Sequence, residues 1–471
     1  MSRIAVIGGG IAGLSASWTL RQRGVDVTLF EASERLGGKL HTDHVDGLLI
    51  DSGPDSFLSS KPAALNLIEQ LGLGDRVINT LPDGGGTFIL RNGKLMPLPE
   101  GITLLVPAEF KAIARTKLLS PIGKARMAMD YVIPARKDDA DESIGSFVRR
   151  RVGKQAFERM AEPLLSGIYG GDADQLSLLS TFPRLRETER THGSVIKGAI
   201  AQKRQAKANG AKPGQRRTPF VSLTNGLSEL IDALADAIGR EHIQTGAHVA
   251  SLVELGDGIA VELASGAREV FDGVVISSPA SETADMLVNL DARLTNELRR
   301  IPYVSSATIS FAYNAAEVAD KQIGRGFVIP RAEGRTLTAV TWTSNKFGGR
   351  VPDGVALLRG FVGRAGNQRP AYLDDSELIP LVRAELQAIL GIDAEPLVTR
   401  IYRWHRAMPQ YNLGHPEILA NLDSILTDHP AIALTGAAYR GVGIPDCISD
   451  ATAQANALAD RISSFVPGAV T

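Results

Sequence analysis

The sequence predicts an α/β protein in which a mostly helical stretch separates two mixed regions, and three observations carry that prediction. Residues 3–30 read as strand, glycine turn, helix and second strand. Residues from about 100 to 182 show helical periodicity with few strand-like runs. Strand signals return after residue 218 and end in an apolar run at 431–438 that leads into a last helix. At 471 residues the chain is long enough for two or three domains and a sizeable core.

Taken in order, RIAVI (3–7) is a short apolar run of the kind that forms a buried strand. It meets Gly8-Gly9-Gly10-Ile11-Ala12-Gly13, then LSASWTLRQRG, a helix that Gly24 stops. VDVTLF follows as a second strand ending at Phe30, with Glu31 just beyond it, so the whole is a βαβ unit. AEFKAIARTKLLS and ESIGSFVRRRVGKQAFERMAEPLL represent the helical stretch. KGAIAQKRQAKANGAKPGQRR (197–217) is basic and lacks a clear apolar face, which predicts a mobile loop or frayed helix. Candidate strands then come from IQTGAHVASLVEL, IAVELASG, GVVISSPA, SSATISFAY, GFVIP, TLTAVTWTS and VALLRGFVG. In the last helix Ile448, Ala451, Ala455, Leu458 and Ile462 recur at helical spacing and define one buried face. No solenoid or propeller period is present.

Composition narrows the class without identifying it. Hydrophobic content of 44% and charged content of 22% are ordinary for a globular protein, and a net charge of −1 gives no general attraction to nucleic acid. No apolar run approaches the roughly 18 residues of a membrane span, and a strand beginning at residue 3 leaves no room for a signal leader. Cys447 stands alone, which excludes an intramolecular disulfide and a thiolate metal cluster. His41 and His44 are spaced H-x-x-H but have no third ligand, so no metal is expected. The expectation is a cytoplasmic enzyme.

Gly8-x-Gly10-x-x-Gly13 sits where dinucleotide binding requires it. The first glycine makes the turn, the second lets the backbone approach a pyrophosphate, and the third lets helix and strand pack closely. The helix N-terminus then faces the negative charge, and Glu31 is placed for a ribose hydroxyl. Directly afterwards, Ala32, Arg35, Gly37, Gly38 and Lys39 form a glycine pair flanked by cations, suited to a second approach to the pyrophosphate or flavin. Lys39 is not a phosphate-loop lysine, because Leu40 stands where Ser or Thr is needed. A second glycine-rich turn, YRGVGIPDC (439–447), enters the last helix more than 400 residues later.

GGGIAGLSA, EASERLGGK and IDSGPDSFL resemble the flavin-containing amine oxidase and protoporphyrinogen oxidase superfamily. EPLLSGIYGGD, LSLLSTFP, RWHRAMPQY and GVGIPDC narrow the resemblance to the Gram-positive type of porphyrinogen oxidase, the coproporphyrin-forming enzyme of haem synthesis. The resemblance implies a Rossmann-like FAD-binding domain that is discontinuous (1–52, 218–285 and 422–471). It also implies a mixed α+β substrate-binding domain (53–98, 183–217 and 286–421) and a mostly helical domain (99–182). FAD is then held at both ends: the first glycine turn takes the ADP half and Gly441, Val442, Gly443 and Ile444 take the flavin half. Glu31 and Lys39 match the ribose and phosphate region, and Gly53, Pro54, Asp55 and Ser56 match a loop beside the flavin. Val249 matches a backbone contact to adenine, and Trp404 an aromatic near the ring. Cys447 opens a helix rather than the pattern that attaches flavin in monoamine oxidases, so non-covalent FAD is expected.

The implied reaction is a six-electron oxidation of a porphyrinogen, by hydride transfer to flavin and reoxidation by molecular oxygen to peroxide. The cofactor carries the redox chemistry, so no catalytic acid–base residue is named. Coproporphyrinogen III has four propionates, which need cations; Lys61, Arg184 and Arg403 are the candidates, with Gly167, Ile168 and Tyr169 lining the pocket. Between residues 101 and 220 there are 22 Lys and Arg against 12 Asp and Glu. That asymmetry fits an anionic substrate, a neighbouring haem-pathway enzyme or at most peripheral contact with an anionic membrane, or else a basic loop with no specific role. The alternatives are a protoporphyrinogen IX oxidase, a different flavin amine oxidase or desaturase, and a non-catalytic porphyrin carrier.

Overall fold

A computed structural model describes residues 2–99, 102–103, 106–107, 110–208, 217–256 and 258–465. Among these, strand Arg3–Ile7 lies at the centre of a five-stranded parallel sheet. Asp26–Phe30 and Ile243–Gln244 flank it on one side, and Gly273–Ile276 and Ile432–Leu434 on the other. All-apolar strands such as GVVI, buried at every position, are what a parallel sheet covered on both faces demands. Helix Ile11–Gln22 and the last helix, Ile444–Phe465, cover one face together. Ile448, Ala451, Ala455, Leu458 and Ile462 are all buried there, the Ile and Leu side chains each contributing about 1.5–3 kcal/mol of apolar burial. The two ends of the chain thus share one core.

A seven-stranded sheet forms the second layer, in the order Val398–Pro409, Tyr303–Asn314, Val355–Val362, Leu337–Trp342, Gly326–Val328, Thr87–Arg91, Lys94–Pro97. Its pairings are antiparallel except for Gly326–Val328 with Thr87–Arg91. Side chains alternate across such strands. Ala356, Leu358 and Val362 pack with Ala307, Ile309 and Phe311 into a core capped by helix Asp375–Leu390. Leu357, Arg359 and Phe361 therefore face the other way, toward the parallel-sheet body.

The helical body is built from short segments. Gly153 (φ +94°) ends helix Ile144–Val152. A short turn and a π-type turn, Phe157–Ala161, then lead into helix Glu162–Tyr169, closed by left-handed Gly170. At its centre the fully buried Arg151 guanidinium donates to Asp130 Oδ1 at 2.6 Å and to Glu189 Oε1 at 3.3 Å.

Several boundaries differ from the sequence expectation. Residues 195–208, within the segment read as loop or frayed helix, form helix Val195–Ala208; Val195, Ile196 and Ala199 supply the buried face. The remainder, 209–216, lies outside the described residues. Leu185, Val195 and Ile196 share the core of the helical body, so 183–208 packs there rather than with the substrate sheet. Phe57, Ala64, Leu67 and Ile68 join the parallel-sheet core, as do Leu294, Leu298, Ile418 and Leu422 on its other face. The apolar stripes of these short helices are legible in sequence, but the body they cover is not.

Candidate active site

The first glycine turn has the geometry its spacing requires. Gly8 has φ +101°, and a Cβ on Gly13 would stand 1.8 Å from the Gly8 carbonyl oxygen. Gly9 is confined differently, by Leu36 and the Glu31 side chain. At Gly10 the Cβ position meets nothing within 4 Å. That open side adjoins the start of helix Ile11–Gln22, whose N-cap is Gly10 itself and carries no side-chain cap. The Ile11 and Ala12 side chains are buried in the core, leaving backbone N–H groups to face the opening. Glu31 accepts from Gly9 N–H at 2.6 Å and from Ser33 N–H at 2.8 Å, which fixes its carboxylate beside the turn.

The loop after Glu31 folds back on this turn. Gly37 N–H donates to the Gly9 carbonyl at 2.8 Å, and Gly37 bridges Gly10. Arg35 does not reach outward: its guanidinium donates to the Leu36 and Gly38 carbonyls and braces the glycine pair. Ala32 is exposed. Lys39 is half-buried and has no described carboxylate at ion-pair distance. Burial pushes its pKa down, offset by Cys447 and Glu282 nearby. An unpaired cation beside an uncapped helix and an open glycine is a donor set that fits a diphosphate. Val249 is buried at the start of strand Val249–Leu255, just past a segment in which Ala247 N–H donates to Glu31 carbonyl at 2.9 Å.

The loop 52–56 joins the two bodies. A Cβ on Gly53 would lie 2.1 Å from the Lys39 carbonyl, so only glycine lets the two loops touch. The Ser52 carbonyl accepts from Thr308 Oγ1 at 3.0 Å, Arg359 Nη2 at 2.9 Å and Trp404 Nε1 at 3.1 Å, donors from three adjacent strands of the larger sheet. Arg359 also donates to the Gly53 carbonyl. Asp55 accepts from Lys346 Nζ at 2.7 Å and from Ser56 Oγ at 2.8 Å. Burial acts to raise its pKa, but Lys346 and Arg359 outweigh it and hold the carboxyl well below the usual range. Trp404 therefore acts here through its indole N–H. Pro54 is exposed on this loop.

The late turn closes the same region. Gly441 has φ +138°, and its N–H donates to Tyr411 Oη at 2.8 Å. Tyr411 in turn donates to the Ala437 carbonyl and stacks on His415. Val442 packs against the helical body, and Ile444 begins the last helix and enters the shared core. Gly443 carbonyl accepts from Cys447 N–H. The Cys447 thiol is buried, and desolvation pushes it up to about 12 despite nearby Lys39. It is a poor nucleophile in this setting.

Of the candidate substrate residues, Gly167 and Ile168 are exposed, while Tyr169 is buried. Helix Glu162–Tyr169 lies over the larger sheet: Cβ positions at Gly167 and Gly170 fall 3.7 Å from Val328 and 3.9 Å from Val304. The half-buried Ser306, Ala339, Thr341 and Phe361 lie on the sheet face turned toward the loop 52–56. Two of the three cations are engaged by the protein itself. Lys61 is not a free propionate contact, because its ammonium grips both Asp446 oxygens at 2.6 Å. Arg403 is engaged by the Leu373 carbonyl and Asp375. Arg184 lies on the exposed side of helix Pro183–His192, whose buried face enters the helical core. Sequence proximity suggested all three, whereas long-range pairing decided two of them.

Residues 11–459 match the family model described as flavin containing amine oxidoreductase. The chain belongs to this family. As a flavin amine oxidoreductase, it is an FAD-dependent oxidoreductase. It is 37% identical to coproporphyrinogen III oxidase of Bacillus subtilis (strain 168), over 96% of this chain and 96% of that protein. It is 34% identical to the protein of the same name from Staphylococcus aureus (strain NCTC 8325 / PS 47), over 95% and 96%. The crystal structure of a candidate protoporphyrinogen oxidase from Exiguobacterium sp. 255-15 superposes with TM-score 0.85 and 30% identity, covering 98% and 99%. The likeness to the Gram-positive porphyrinogen oxidases read from the motifs therefore holds along nearly the whole chain. No helix among the described residues is long and apolar enough to cross a membrane, and they hold no cluster of three metal-ligating side chains.

Proposed function

We propose that this flavoenzyme oxidises coproporphyrinogen III to coproporphyrin III, removing six electrons and six hydrogens in two-electron steps. The reading is supported by the two full-length relatives of that name. The observation in this chain that carries it is the packing of the loop after Glu31 between the first glycine turn and the loop 52–56 beneath the larger sheet, with the last helix entering the same core as helix Ile11–Gln22. FAD, bound without a covalent link, supplies hydride acceptance from the substrate and return of each electron pair to oxygen as peroxide.

The protein's own groups bind, orient and exclude water. Helix Ile11–Gln22 and Lys39 hold the diphosphate, with Glu31 at the ribose and Val249 at the adenine. Arg359, Thr308 and Trp404 fix the Ser52 carbonyl, so the loop Gly53–Ser56 has one position relative to the sheet. At the other end the N-terminus of the last helix, with Gly441 to Ile444, would hold the flavin half and favour negative charge on the ring. Asp446 in that first turn would cancel the positive end, and Lys61 neutralises Asp446 at 2.6 Å. The sheet face of Ser306, Ala339 and Phe361 and the exposed residues Gly167 and Ile168 of helix Glu162–Tyr169 would line the side on which the flat macrocycle lies. Cytoplasmic action with at most peripheral membrane contact belongs to the same reading.

Anaerobic mixing with coproporphyrinogen III tests it. The yellow flavin absorbance should bleach, and air should restore it with one peroxide for each electron pair removed. Flavin that stays oxidised in the presence of substrate would leave a non-catalytic carrier as the better description.

A further inference from the structure

Arg364 stands two residues beyond strand Val355–Val362 and is only 5% exposed. Its backbone is pinned in a tight reversal: Arg364 N–H donates to the Asn367 carbonyl at 3.1 Å, and Asn367 N–H returns to the Arg364 carbonyl at 2.9 Å. The next residue, Ala365, donates to the Gly170 carbonyl at 2.7 Å, which sets Arg364 beside the end of helix Glu162–Tyr169. The guanidinium has one weak contact, from Nη1 to the Ile329 carbonyl at 3.5 Å. Among the described residues no carboxylate lies within ion-pair distance of it.

Its neighbourhood adds positive charge. Arg331 is close enough to push the Arg364 pKa down, after the larger effect of burial. The nearby carboxylate, Glu162, is already engaged by Arg331, through Nε at 3.2 Å and the backbone N–H at 3.2 Å. Arg331 also donates from Nη2 to the Gly171 carbonyl at 2.9 Å. One carboxylate thus stands near two guanidinium groups but pairs only with Arg331, and the more buried Arg364 has no carboxylate partner among the described residues. Burying a charge without an opposite charge is expensive, and a planar fork of donors matches a carboxylate best.

We infer that Arg364, with Arg331 beside it, is a binding site for a carboxylate on the rim of the tetrapyrrole substrate. This inference rests on the proposed function and names a subsite within it. Position supports it: Arg359 holds the loop 52–56 from within strand Val355–Val362, and Arg364 lies just past the end of that strand, beside the close of helix Glu162–Tyr169. Helix Glu162–Tyr169 is the segment that carries the pocket-lining candidates Gly167, Ile168 and Tyr169, so a cation at its close is within the region proposed for the substrate. The site replaces Lys61, Arg184 and Arg403 as the principal anion contact.

Titration of the purified holoprotein with coproporphyrin III, followed by porphyrin absorbance, tests the inference in wild type, Arg364→Gln and Arg364→Lys. Arg364→Gln should weaken binding at least 30-fold, and Arg364→Lys should fall between it and wild type, while flavin content and flavin spectrum stay unchanged in both. Equal affinity in wild type and Arg364→Gln overturns the subsite. Loss of flavin or of folded protein in both variants also overturns it, because Arg364 would then be a structural strut. If wild type itself neither binds coproporphyrin III nor oxidises its porphyrinogen, the proposed function is what has failed.

Discussion

Lys39 shows how a single side chain can report on a missing charge. It follows Gly38, which lies against Gly10, its carbonyl meets the loop at Gly53, and burial pushes its pKa down. A bound diphosphate would favour its charged form. Lys39→Met should therefore weaken FAD binding by roughly 10- to 100-fold, the worth of one charge-assisted hydrogen bond. The melting temperature of the flavin-free protein should stay the same, because no protein partner is lost. Titration of that protein with FAD measures both, and an unchanged affinity would remove Lys39 from the site. The sequence showed Lys39 because it follows a recognisable unit. It hid Arg359 and Arg364, which lie in and just after the apolar run VALLRGFVG. The available signal was a cation inside a buried strand, a costly placement that asks for a reason. Lys61 misled in the opposite way, since its partner Asp446 is 385 positions distant.

At the scale of elements, the two glycines of the first turn separate folding from binding. Gly13 is needed for packing, since any Cβ there overlaps the Gly8 carbonyl. Gly10 faces open space, so a methyl group there costs the fold little but obstructs an approaching ligand. Gly13→Ala should lose both folded yield and flavin. Gly10→Ala should give a folded protein whose flavin content is greatly reduced. Circular dichroism together with flavin absorbance distinguishes them, and equal flavin occupancy in Gly10→Ala would contradict the assignment. The βαβ unit and the last helix were legible because their periodicity and turn residues agree. Strand Val398–Pro409 was not, because it lies at the sheet edge and sets Arg400, Arg403, His405 and Arg406 among Ile401, Tyr402 and Trp404, with no clean apolar–polar alternation. Its regularity comes from pairing with Tyr303–Asn314, a long-range fact.

Across the whole molecule the chain crosses between bodies repeatedly, so burial and charge pairs act as joints. One lies at His429, which bridges Glu254 at 2.8 Å and Asp291 at 3.0 Å and so ties three segments of the parallel-sheet body together. Arg293 and Asp428 stand behind Asp291. Burial acts to lower the His429 pKa, but the two carboxylates outweigh it and raise the value above 6.5. The stabilisation it gives is complete below 6.5 and is lost as pH rises through that raised value. Melting temperature should fall over that window in wild type and show a flatter profile in His429→Gln. Identical profiles would mean that the bridge carries no pH-dependent stability.

Domain class and dinucleotide binding were legible because they follow from short-range glycine geometry, and the flavin was legible from the family resemblance of several contiguous motifs. The packing of 183–208 and the anion subsite were not, because each depends on residues brought together from distant segments.

The central claim is the choice of substrate, and the most direct measurement is the rate of porphyrin fluorescence from the purified yellow protein in air. Coproporphyrinogen III and protoporphyrinogen IX would be supplied in parallel and corrected for spontaneous oxidation. Markedly faster formation of coproporphyrin is the predicted result. A preference for protoporphyrinogen IX, or no enzymatic rate with either, would contradict the account while leaving the flavin fold intact.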